Sequence, residues 1–87
     1  MKEIIIECMD METEAQVFEI TGKCLGAGKG VIHDLESLYD FLVAIDIPVE
    51  ITFEDVDLLD VYLDDYSETF LSVFEEAAGE NENIELI

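Results

Sequence analysis

The chain predicts an α/β fold: a three-stranded parallel sheet with four helices packed on one face, in two layers. Three observations carry that expectation. Short apolar or alternating runs occur at residues 4–6, 49–53 and 83–87, the lengths expected of strands in a small sheet. Helical spacing fills the intervals between them, and strands joined by helical crossovers pair in parallel, in sequential order when every right-handed crossover stays on one face. Hydrophobic residues make up 51% of the 87 positions, whereas disordered acidic segments lack the apolar residues a core needs. A chain of this length has room for one small core, so residues 1–87 are expected to form a single domain.

Ile4-Ile5-Ile6 is a β-branched run that suits a first strand buried on both faces. A turn at residues 10–12 follows. Thr13-Glu14-Ala15-Gln16 has the spacing of a capping box, in which Thr13 accepts from a first-turn amide and Gln16 reaches back. The helix it opens runs to about Leu25 and buries Val17, Phe18, Cys24 and Leu25. Gly26-Ala27-Gly28-Lys29-Gly30 does not continue it. Asp34 is the next N-cap, and Leu35, Leu38, Leu42 and Ile45 form the apolar stripe of a second helix. After Pro48, Val49, Ile51 and Phe53 alternate with Glu50, Thr52 and Glu54, the period of a strand with one buried face. Asp55 or Asp57 caps a third helix that buries Val56, Leu59 and Leu63. Ser67 caps a fourth, with Phe70, Phe74 and Ala77 inward and Gly79 placed to end it. Residues 83–87 form the last strand.

The charge is lopsided. There are 23 acidic residues against three lysines, and six of the acids precede Lys29, which leaves seventeen acids and no cation in the remainder of the chain. Such a surface repels itself unless salt or a cationic partner relieves it. Nucleic acid and anionic membranes are excluded as partners, because both are bound through Lys and Arg. A basic protein or metal ions remain, beside the plainer possibility of an acidic domain kept soluble by its charge. Cys8 and Cys24 form neither a disulfide framework nor a metal quartet, and are read as reduced thiols of a cytoplasmic protein. The apolar run near the N-terminus is too short for a signal peptide or a membrane span.

Motifs for catalysis fail on inspection. The glycine-rich run at 26–30 has neither the dinucleotide fingerprint nor the P-loop pattern. Residues 55–60 lack the third acidic position and central glycine of an EF-hand, leaving only weak, nonspecific calcium binding open. His33 is the single histidine, at no zinc spacing from either cysteine. Ser37, Ser67 and Ser72 have no convincing base. We therefore expect no enzyme, no cofactor and no structural metal.

The second helix leaves Glu36, Asp40 and Val43 on its outer side with Tyr39 at the edge. That mixture fits the aromatic anchor and charged contacts of a protein interface. The pattern alone favours the plainer alternative, a tyrosine packed on a neighbouring loop and a solvated aspartate. In the fourth helix, Glu76 and Glu80 are a repulsive i,i+4 pair in the half where the helix dipole disfavours negative charge. Local stability would not select them.

The segments Asp34-Leu35-Glu36-Ser37-Leu38-Tyr39-Asp40-Phe41-Leu42, Pro48-Val49-Glu50-Ile51-Thr52-Phe53 and Phe70-Leu71-Ser72-Val73-Phe74-Glu75-Glu76-Ala77 together resemble the barstar family, intracellular inhibitors of barnase-type ribonucleases. The likeness covers residues 34–87 in order and spacing, and residues 1–30 in element order. It implies a domain, monomeric when free, that plugs the active site of a secreted basic ribonuclease with an acidic helix and its adjoining loop, mimicking RNA phosphates. Asp40 stands where the family's central aspartate enters the phosphate site. Glu36 matches a second acidic contact, and Glu76 and Glu80 match acidic positions of the later helix, the first of them a contact. Tyr39 replaces the family's tryptophan, Val43 replaces a polar contact, and Asp34 stands for an asparagine. Gly30-Val31-Ile32-His33-Asp34 also lacks the aromatic ring that usually precedes the recognition helix. A module that keeps this fold but binds a basic protein other than a nuclease is the alternative.

Overall fold

A computed structural model describes residues 1–87. The chain runs β1 (Lys2–Glu7), α1 (Glu14–Leu25), α2 (Leu35–Val43), β2 (Val49–Glu54), α3 (Asp57–Leu63), α4 (Tyr66–Glu80) and β3 (Ile84–Leu86). The strands form one sheet in the order β1-β2-β3, all parallel, with Ile4 opposite Ile51 and Val49 opposite Ile84. This is the α/β arrangement that the element order predicts.

Side chains alternate across a parallel strand, so one face of this sheet collects the apolar set. Ile4, Ile6, Val49, Ile51 and Ile84 are buried. They meet Val17, Phe18 and Leu25 of α1, Leu38 and Leu42 of α2, Leu59 of α3 and Phe70, Phe74 and Ala77 of α4 in one core. Phe53, Phe70 and Phe74 pack edge to face, with ring centroids 4.9 Å (Phe53 to Phe74) and 5.3 Å (Phe70 to Phe74) apart, an arrangement that matches ring edges to ring faces.

The opposite face of the sheet is open, which corrects the expectation of a first strand buried on both sides. Ile5 is 49% exposed, beside exposed Glu3 and Glu7. A two-layer fold has no second helical layer to cover that face, so three consecutive isoleucines do not imply double burial here.

Several caps also differ. α2 ends at Val43 rather than at Ile45, whose N–H donates to the Leu42 carbonyl as the chain turns away. Neither Asp55 nor Asp57 caps α3: its N-cap is Val56, with no side-chain bond, while Asp55 adopts a left-handed φ of 57°. Val56 is 37% exposed and therefore not a core residue. Ser67 lies inside the first turn of α4, where its hydroxyl bonds the Asp60 carboxylate and the Asp64 carbonyl, tying α3 to α4 instead of capping. Gly79 does not end α4; the helix passes through it to Glu80, with Asn81 as C-cap. In contrast, the capping box at Thr13 forms with Gln16, and Asp34 caps α2 as expected, with Ser37 returning a reciprocal bond beyond the expected cap. No helix is long and apolar enough to cross a membrane.

Candidate functional site

The site is built on two helices that pack against each other, α2 and α4. Each precedes a strand of one parallel sheet, so the two run alike and their C-terminal ends meet. Asn81, buried at the end of α4, holds them together. Its side-chain amide donates to the carbonyls of Leu42 at 3.0 Å, Val43 at 3.3 Å and Ile45 at 2.9 Å. Its own Oδ1 accepts from the Asn83 N–H at 3.0 Å, and the Asn83 side chain donates to the Ile45 carbonyl at 3.1 Å. The Val43 carbonyl thereby gains a donor it would otherwise lack, and the Leu42 carbonyl, which already accepts from the Ile45 N–H, gains a second, where α2 ends in Ala44 without a glycine cap.

Negative charge converges at this junction. Neither α2 nor α4 has a basic residue in its last turn, so the partial negative charge of both helix ends is left without a side-chain cation. Glu76 and Glu80 add two exposed carboxylates on α4, the second adjacent in sequence to Asn81. On α2, Asp40 is fully on the surface, while Tyr39 and Val43 are half-buried and pack against the core. The aromatic ring and the valine are thus partly structural, and only their outer surfaces are available to a partner.

The other end of α2 forms a separate acidic spot. At 1.5 Å per residue, Asp34 lies about 13 Å along the axis from Val43. Its carboxylate accepts from the Ser37 N–H at 2.7 Å, and the Ser37 hydroxyl accepts from the N–H of both His33 and Asp34 at 3.0 Å. The Ser37 bonds hold the Asp34 carboxyl below its ordinary value. Asp34 and Glu36 line a concavity of about 620 Å3 together with Glu14 and Tyr66, which bring the starts of α1 and α4 to the start of α2. Burial, reinforced by the Glu14 carboxylate, pushes the Tyr66 phenol above its ordinary value.

The seven residues singled out from the sequence therefore fall into two groups, at opposite ends of α2. Tyr39, Asp40, Val43, Glu76 and Glu80 sit on the packed α2–α4 pair, whereas Asp34 and Glu36 border the concavity at its N-terminal end. Sequence reasoning missed Asn81, Glu14 and Tyr66. A signal existed for Asn81, because a helix ending without glycine or a cation needs donors from elsewhere. Nothing local marks Glu14 or Tyr66, whose neighbourhood exists only once the three helix starts are brought together. The family model described as Barstar (barnase inhibitor) matches residues 1–86, so the likeness extends through the N-terminal third. No curated protein matches the chain.

Proposed function

The chain belongs to the barstar family of barnase inhibitors, and from that membership we propose that it blocks the active site of a basic, barnase-type ribonuclease with the acidic surface of α2 and α4. The observation that carries this reading is the junction of two helix C-termini, clamped by Asn81, that bears Glu76 and Glu80 and no cation. Such a junction is costly in the free protein and favourable only against a cationic surface.

In this reading Asp40 enters the phosphate site of the enzyme, where a carboxylate substitutes for one phosphate of RNA. Glu36 on one side, and Glu76 and Glu80 on the other, meet basic groups around it. Tyr39 and Val43 supply apolar contact between these charges. The adjoining loop and Asp34 close the edge. Inhibition is occlusion, steric and electrostatic, with no bond made or broken. The excess charge of the whole chain accelerates the encounter, and the few acids in contact determine how long the complex lasts.

The test is binding of a barnase-type ribonuclease by wild type and by Asp40→Ala, with circular dichroism to confirm that both are folded. Wild type should bind tightly and the variant at least tenfold more weakly, the order expected when one member of a desolvated charge pair is removed. Equal binding would remove Asp40 from this role. Failure of wild type to bind, with another basic protein recovered from native cells, would favour the alternative module.

A further inference from the structure

Two of the three lysines line one concavity. Lys23, at the end of α1, and Lys29, in the following loop, border a space of about 700 Å3 that is distinct in its lining from the surface of α2 and α4. Its apolar wall comes from Ala15, Ala27 and the outer edges of the core residues Phe18 and Ile32. On the rim, the N–H groups of Gly28, Lys29 and Gly30 donate to no backbone carbonyl. Glu19 also lines the space and pairs with Lys23 at 3.4 Å, but both side chains are more than two-thirds exposed. An exposed i,i+4 pair of that kind is worth little and yields readily to a better partner.

An apolar wall beside lysines and unpaired amides is complementary to an apolar side chain carried next to a carboxylate. A free anion would be repelled by a chain of net charge −20 before it reached the rim. A carboxylate embedded in a basic protein surface meets no such barrier, because the surrounding cations draw it in. We propose that this concavity receives a segment of a basic protein partner in which an apolar residue adjoins an acidic one. The step from acid at Asp34 and Glu36 to base at Lys23 and Lys29 then fixes the orientation in which that partner docks, since a reversed pose would set like charges together.

The site can be tested without any nuclease, so its failure is distinguishable from failure of the inhibitor reading. The probe is a capped pentapeptide of Lys, Lys, Phe, Asp and Lys in that order, and its control carries Asn in place of Asp. Titration is followed by amide NMR at about 0.15 M salt, where charges beyond about 8 Å are largely screened. The Asp peptide should shift the resonances of Gly28, Lys29, Gly30 and Ile32 saturably, and the Asn peptide should bind about fivefold more weakly. Lys23→Gln with Lys29→Gln should abolish the preference for Asp over Asn while the rest of the spectrum is unchanged. Equal binding of the two peptides, or shifts confined to the acidic ends of α2 and α4, would overturn the proposal.

Discussion

Asn81 is the residue on which the geometry of the acidic junction depends most. One buried amide supplies donors to three carbonyls of the α2 terminus and an acceptor to Asn83. Asn81→Ala should lower the free energy of unfolding by about 1–3 kcal/mol, because it removes three bonds at the α2 terminus and leaves the Val43 carbonyl with no donor, while Leu42 and Ile45 keep the Ile45 N–H and the Asn83 side chain. Asn81→Asp should cost more, since a carboxylate facing carbonyls can only accept. Urea unfolding of both variants measures the difference, and an Asp variant as stable as Ala would show that the amide donors are dispensable. Cys8 offers a second check. Burial pushes its thiol from 9.0 up to about 11, with the Asp55 charge adding to the effect. The folded state thus holds the proton more tightly than the unfolded chain, and the stability this provides, complete below pH 9, is lost as pH rises toward 11. Thermal unfolding across that window should show a decline that Cys8→Ala lacks. For Asp34 the sign is opposite: its lowered value gives stability present above the ordinary carboxylate range and lost as pH falls through the folded value. Residue types announced these local chemistries unevenly. Thr13 and Asp34 were legible as caps because their partners lie three positions away in sequence, whereas the partners of Asn81 lie 36 to 39 positions away.

At the scale of elements, legibility followed the same division between near and far. The three strands, the capping box at Thr13, the N-cap at Asp34 and the Leu38–Leu42 part of the α2 stripe follow from spacing alone. The burial of β1 did not, because Ile4-Ile5-Ile6 reads identically for one covered face or two, and only the number of layers decides. Ser67 and Gly79 misled because each has the residue type of a helix end: the Ser67 hydroxyl instead bonds Asp60 and Asp64 within the first turn of α4, and the helix runs through Gly79 to Glu80. The candidate site was legible in its residue types and not in its assembly. Helix α4 carries its own experiment. Glu76 and Glu80 oppose each other and the helix dipole, so Glu80→Gln should stabilise the free protein by about 0.2–0.5 kcal/mol. The same change should weaken binding to a basic ribonuclease. Denaturation and binding measured on one preparation test both halves, and a variant that gains stability without losing affinity would assign Glu80 to background charge.

For the whole molecule, net charge governs both stability and encounter. With 23 acids and three lysines, self-repulsion should be relieved by salt, so the thermal midpoint at neutral pH should rise between low and physiological ionic strength. Association with a cationic target should slow over the same range, and more steeply than dissociation changes, because long-range steering is what salt removes. Opposite responses of stability and association rate to one variable distinguish a surface kept acidic for binding from one that is merely soluble. The central claim, however, is occlusion of a ribonuclease active site, and competition with substrate tests it most directly. In RNA-cleavage assays of a barnase-type ribonuclease with a fixed amount of this protein, inhibition should weaken as RNA concentration rises, the signature of two ligands for one cleft. Inhibition that does not change with RNA, or no inhibition at all, would contradict the account.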